Sequence, residues 1–159
     1  SAWGDESGLV FIAKSNGAGG VLNLFDTAGK NLHEMSFLTL PSKCFFNIET
    51  ITTPLGASTS SARNVSSRAT STVTVNRSLY CAIPRGADQF AAAALPDSYF
   101  RREFFTADDF YAITLPDGNV RTVSAEKTRL SDAINLKVFN NTLFFINRLD
   151  NKLYALSLK

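Results

Sequence analysis

Gly17, Gly19 and Gly20 in "KSNGAGGVLNLF" (14–25) have the first spacing of a glycine loop that cradles phosphate, where backbone N–H groups surround an anion at a helix N-terminus. The residues that follow decide otherwise. Val21 to Phe25 read as a strand where a dinucleotide loop needs a helix, and Gly29-Lys30 is followed by Asn31 instead of the Ser or Thr of a P-loop. The glycines read as the turn between two strands.

His33 is the only histidine, so any Ser-His-Asp or Cys-His machinery has to use it as base, and no GxSxG elbow accompanies it. It reads as a partly exposed strand residue. One His and two Cys make no zinc set, and "LDNKL" and "LPDGNV" lack the six oxygens of a calcium loop, so no metal or other cofactor is expected. Asp97, Glu103, Asp108 and Asp109 cluster around Arg101 and Arg102. Glycosidase-type hydrolysis would need two of these carboxylates facing each other across a cleft. Alternating charges beside aromatics read more simply as a salt-bridged surface.

The aromatics are the remaining signal. Phenylalanine occurs 13 times against one Trp, and "DSYFRREFFTADDFYAI" (97–113) concentrates them. Most must fill a core. Aromatics beside arginine are also what interface centres are made of, which makes Tyr99, Phe100, Arg101, Arg102, Phe104, Phe105 and Tyr111 the candidate partner-contact residues.

The elements that would position these groups are mostly strands. "GLVFIAKS" (8–15), "GVLNLFDT" (20–27) and "NLHEMSFLTL" (31–40) predict a meander of two hairpins, and "CFFNIETITT" (44–53) and "TVTVNRSLYCAI" (72–83) predict two further strands. Thr72, Thr74 and Asn76 alternate there with Val73, Val75 and Arg77. Between those two strands, 54–71 is small and polar and reads as a long mobile Ser/Thr-rich loop. "ADQFAAAAL" (87–95) predicts a helix stopped by Pro96, 97–111 continues for a helical turn or two with Asp97 as N-cap, and 124–134 predicts a short capped helix. "FYAITLPDGNVRTVS" (110–124) is a hairpin around Pro-Asp-Gly, and 137–159 holds three short strands around Asn-Asn and Asp-Asn turns.

At 159 residues the chain supports one domain, 1–159. A net charge of +2 with scattered lysines and arginines gives no support to nucleic-acid binding, and no apolar run is long enough to span a bilayer. Cys44 and Cys81 each sit in an apolar stretch. Paired, they would close a loop worth about 4 kcal/mol in the chain-entropy model; unpaired, they are two small buried hydrophobes. Low lysine and glutamate content and a Ser/Thr/Asn-rich surface lean the compartment towards extracytoplasmic.

"GLVFIAKSNGAGGVLNLFDTAGKNLHEMSF", "FYAITLPDGNVRTVS" and "NTLFFINRLDNKLYALSLK" resemble blades of quinoprotein-like β-propellers, in which a strand reading "LYALD" is followed by a glycine turn and another strand. The first and last of these carry the likeness best and cover about a third of the chain. His33 follows "AGKNL", where the family places a tryptophan one step on, and a complete propeller needs several more four-stranded blades.

These readings converge on a mainly β fold, an antiparallel meander or sandwich or an incomplete set of propeller-blade-like hairpins, with one or two short helices. The function expected is a non-enzymatic interaction or structural module of a surface, envelope or filament assembly, partnered by protein or by itself. The alternatives are a hydrolase using residues 97–109 and a ligand-binding propeller-like piece.

Overall fold

The structure, a computed structural model, describes residues 1–4, 6–14, 18–54, 71–115, 117–124 and 130–158. Strands β1 (Ala2–Trp3), β2 (Ser7–Ala13), β3 (Gly20–Asp26) and β4 (Asn31–Glu34) form a first antiparallel meander. A 3-10 turn, Pro41–Lys43, leads into a central meander of β5 (Cys44–Pro54), β6 (Ser71–Pro84), β7 (Asp108–Leu115) and β8 (Asn119–Ser124). Helices α1 (Ala87–Ala92) and α2 (Asp97–Phe100) lie between β6 and β7. A third sheet, β9 (Ala133–Phe139), β10 (Thr142–Asn147) and β11 (Lys152–Ser157), completes a mainly β architecture of three antiparallel sheets.

Turn chemistry sets the registers. Asn140 and Asn141 take φ of 45° and 55°, the left-handed pair a tight two-residue hairpin needs, and bring Phe139 opposite Thr142. The Asp26 carboxylate accepts from the N–H groups of Ala28 (2.9 Å) and Lys30 (2.8 Å), closing the turn into β4. Gly118, at φ 73°, donates its N–H to Thr114 O at 2.8 Å in the β7–β8 hairpin.

Around Leu79–Ala82 and Phe110–Ile113 the central sheet is buried on both faces, and a period of two sorts its side chains. Leu79, Cys81 and Ile113 face the first sheet and meet Leu9, Leu22, Leu24 and Met35. Tyr80, Ala82, Phe110 and Ala112 face the third and meet Ala133, Leu136, Leu143, Phe145 and Leu158. A satellite core of Leu40, Phe90, Leu95 and Tyr99 seats the helices. The opening strands of the three sheets lie side by side, β1 against β5 and β5 against β9. From there exposure increases outward, until every residue of β4 faces solvent.

Beyond β7's reach, β5 and β6 continue alone from Glu49↔Asn76 to Pro54↔Ser71, six residue pairs and about 20 Å of two-stranded ribbon. Here the expected half-buried alternation fails: Thr72 to Asn76 are exposed on both faces, Val73 at 61%, because no third strand or opposing layer covers them. Of the loop expected over 54–71, residues 55–70 lie outside the described residues. Four boundaries also differ from expectation. α1 ends at Ala92, with Ala93 already extended, inside the alanine run and short of the expected Leu95. β4 stops at Glu34, since Met35, Leu38 and Leu40 turn inward to fill cores. Asp97 is the first residue of α2 and makes no cap; Pro96 holds the capping position. Of 124–134, residues 125–129 lie outside the described residues, and the described ends are not helical: Ser124 ends β8, and Ser131 O accepts Asp108 N–H at 2.9 Å, which keeps the chain extended into β9.

Cys44 and Cys81 stand opposite each other across β5 and β6, with Cα atoms 4.2 Å apart and sulfurs at bonding distance, 2.09 Å. Replacing both with alanine should lower unfolding stability by about 2–4 kcal/mol with the sheet order kept, as read by chemical denaturation and circular dichroism.

The glycine turn is explained by close approach, although Gly17 lies outside the described residues. Gly19 has φ 67°, donates its N–H to Ala93 O at 2.8 Å, and would place a Cβ 2.5 Å from Ala91 O. The turn is pressed onto the end of α1. Gly19→Ala should cost about 1–3 kcal/mol in urea unfolding, because it combines a left-handed backbone with a collision against a helix carbonyl.

Candidate functional site

Lys43 ends the 3-10 turn with no exposed side-chain surface. Burying an ammonium is costly unless it is paired and hydrogen-bonded. Its Nζ lies 2.7 Å from Asp108 Oδ2, 2.7 Å from Asp132 Oδ1, 2.9 Å from Tyr99 Oη and 3.0 Å from Thr106 Oγ1. Asp132 is the hub: besides Lys43 it accepts from Tyr99 Oη, from Thr106 Oγ1 at 3.0 Å and from Arg148 Nη1 at 2.8 Å. Arg148 lays its guanidinium 3.7 Å from the Tyr99 ring centroid and donates a second bond to Tyr99 O. Two cations and two carboxylates are thus enclosed together with no net charge.

Each member is delivered by a different segment. Asp108 opens β7, Asp132 precedes β9, Arg148 follows β10 and Tyr99 lies on α2. Backbone bonds fix the carboxylates: Ala133 N–H donates to Asp108 Oδ2 at 2.7 Å, and Asp132 N–H donates to Asn147 Oδ1 at 3.0 Å. Asp108 Oδ1 is buried without a hydrogen-bond partner.

Titration follows from these contacts. Burial works to lower Lys43, but Asp108, Tyr99 and Asp132 outweigh it and hold the ammonium above its usual value. Burial pushes Tyr99 up to about 12. Burial also raises Asp108, against the pull of Lys43. For Asp132 burial is overcome by Lys43, the Tyr99 hydroxyl and Arg148, which hold it below the usual carboxylate range. A nucleophilic lysine needs a neutral amine. Four acceptors around Nζ favour the ammonium, so the cluster's chemistry is that of an interior ionic lock.

The carboxylates of 97–109 are dispersed. Asp108 is drawn to Lys43, Asp109 pairs with Arg85 at 2.8 Å, Glu103 pairs with Arg101 at 2.8 Å, and Asp97 is exposed. The aromatic segment divides between core and surface. Tyr99 is wholly buried, Phe104 packs against Phe90 and Tyr99, and Tyr111 packs towards the first sheet. Phe100, Arg101, Arg102 and Phe105 face solvent, with Phe100 61% exposed beside an apolar cavity of about 320 Å³ lined by Phe11, Leu40 and Pro96. His33 is exposed on β4. Among the described residues no group of three or more His, Cys, Asp or Glu is placed to hold a metal ion.

Sequence reasoning missed Lys43, Asp132 and Arg148. They stand 89 residues apart at the first pair and 16 at the second, with no shared motif. Only the lysine inside the apolar run "LPSKCFF" hinted at a buried charge.

Removing one partner of a buried ion pair costs about 3–5 kcal/mol, so Lys43→Met should be strongly destabilising. Asp132→Asn should cost more than Asp108→Asn, because Asp132 serves more donors. The pH dependence has a definite sign. Asp132, held low, stabilises the fold above the ordinary carboxylate range, and that contribution is lost as pH falls through its depressed folded value. Asp108, raised, acts oppositely, losing its contribution as pH rises through its folded value. Between about pH 2 and 6, where carboxylates titrate, Asp132→Asn should remove a loss of urea midpoint on acidification and Asp108→Asn should remove a gain, so the two variants should tilt the midpoint–pH profile in opposite directions.

No known family model, curated protein or solved structure matches this chain.

Proposed function

We propose that this chain is a non-enzymatic interaction and structural module of an extracytoplasmic assembly, built from blade-like β-sheets and joined to its partner through sheet faces. One observation carries the reading: the two end sheets of the stack each turn an apolar face outward. On the first sheet, the residues alternating with the buried Leu9, Leu22 and Leu24 are Val10, Ile12, Val21, Asn23 and Phe25, with Trp3 beside Gly8 and Glu34 beside Asn23 on the same side. On the third, those alternating with Leu143 and Phe145 are Phe144 and Ile146, flanked by Phe139 at 67% and Leu153 at 69% exposure. Exposed apolar side chains clustered on one face are the kind of surface through which proteins associate.

The ionic arrangement supports the same reading, since the acidic residues nearest a hydrolase pattern are engaged with Lys43, Arg85 and Arg101. The Cys44–Cys81 pair fits an oxidising compartment, and among the described residues no helix is long and apolar enough to cross a membrane.

A photo-crosslinking amino acid placed at Ile12, Phe139 or Leu153 in producing cells should give covalent protein adducts, and the same group at exposed Lys30 should give none. A folded chain that forms no adduct at any of the three face positions would remove the reading.

A further inference from the structure

The geometry points to a covalent end-state for the buried ionic cluster: an amide bond between Lys43 Nζ and Asp108 Cγ, formed inside the folded chain by loss of water, with Asp132 moving the protons. This site of self-modification goes beyond the interaction-module reading and does not rest on it.

Placement comes first. Nζ lies 2.7 Å from Asp108 Oδ2, and neither side chain has any surface in water. A nitrogen at hydrogen-bond distance from a carboxyl oxygen stands about 3–3.5 Å from the carboxyl carbon, the separation of a near-attack pair.

The two oxygens of Asp108 are unlike. Oδ2 accepts from Lys43 and, at 2.7 Å, from the Ala133 N–H, a fixed donor where negative charge gathers when Cγ is attacked. Oδ1 is buried with no hydrogen-bond partner, so no donor holds it against taking a proton and departing.

The two carboxyl groups are unlike as well. Asp132 accepts from Arg148 Nη1 at 2.8 Å and from the Tyr99 and Thr106 hydroxyls, and its Oδ1 lies 2.7 Å from Nζ. Burial raises Asp108 towards its acid form while Asp132 is held low, so the first is suited to be the electrophile and the second the base.

The step balances without a co-reactant. The Lys43 ammonium passes one proton by way of Asp132 to Asp108 Oδ1, leaving a neutral amine beside a carboxylic acid. Four acceptors around Nζ make this the minor form, but a one-way reaction drains it. The Nζ lone pair attacks Cγ, and negative charge collects on Oδ2 against the Ala133 N–H. Asp132 takes a second proton from the nitrogen and gives it to Oδ1 as the Cγ–Oδ1 bond breaks. Water leaves, the Cγ–Nζ bond remains, and Asp132 is a carboxylate again.

Charge favours the product. Two buried ions become one neutral amide, which removes their desolvation cost. Arg148 and Asp132 stay behind as a pair with no net charge. The second cation and second carboxylate, superfluous to a simple lysine–aspartate pair, are then a proton carrier and its counter-ion.

The test is the intact mass of the purified chain after its disulfide is reduced and the protein denatured. A mass one water below that of the sequence is expected, and the full sequence mass overturns the inference. Lys43→Met and Asp108→Ala should each show the full mass of their own sequences; a water loss kept by either variant places the dehydration elsewhere and overturns it. Tryptic digestion of the reduced wild-type chain locates the bond whether or not the variants fold. Cleavage after Lys43 should be blocked, and residues 31–63 should be recovered joined to residues 103–121. Separate peptides overturn the inference, as does a branch from Lys43 to residues 130–137, which contain Asp132. Asp132→Asn that keeps its β circular-dichroism spectrum should retain the water, and a folded Asp132→Asn chain dehydrated as fully as wild type overturns the role given to Asp132.

Discussion

The ammonium of Lys43 is the constraint on which the rest of the molecule depends. A buried cation has to be met by anions at hydrogen-bond distance, and the chain meets it with Asp108 and Asp132, 65 and 89 residues away. Those two aspartates sit where β7 begins and where the chain approaches β9, so satisfying one charge fixes the approach of both the central and the third sheet. Arg148 then neutralises the second carboxylate and clamps the ring of Tyr99, which seats α2. An apolar side chain at position 43 could fill the same space, but it could not specify which strand ends must meet there.

Around this lock the hydrophobic effect supplies the bulk of the cohesion through two parallel junctions. Where β5, β6 and β7 run together the central sheet is covered on both faces, and the stretch "LYCAI" distributes alternate residues to the two neighbouring layers. That arrangement stabilises the middle at the expense of the ends. The outer faces of the two end sheets carry exposed Trp3, Ile12, Phe139 and Leu153 beside the charged Glu34 and Lys137.

The fold was legible in the sequence wherever turn chemistry and local alternation decide structure. The hairpins around Asn140-Asn141 and Gly118, the helix at the alanine run and the meander order are all local statements, and each is realised. Boundaries failed where a distant partner overrides propensity. "NLHEMSFLTL" alternates well enough to be a long strand, yet Leu38 and Leu40 are needed in a core that only forms once α1 and α2 arrive. The site was legible only in fragments. Cys44 and Cys81 advertise themselves by type, and Asp108 by its neighbours, but Lys43, Asp132 and Arg148 are ordinary residues until the chain folds, because nothing in their spacing encodes a meeting across three segments. Tyr99 illustrates the ambiguity of aromatics beside arginine: the arginine it engages is Arg148, not Arg101 or Arg102 next to it in sequence.

The long ribbon of β5 and β6 has a mechanical consequence. Its rungs run from Pro54↔Ser71 at the far end towards the body of the molecule, and a force drawing the two strands apart at that end would open them one after another like a zipper. The zipper has a covalent stop. Cys44 and Cys81 join the two strands deeper in the core, past the rungs Phe46↔Leu79 and Phe45↔Tyr80, so strand separation cannot pass that point while the disulfide holds. Opening confined to the six rungs from Pro54↔Ser71 to Glu49↔Asn76 would leave the junctions between the three sheets untouched.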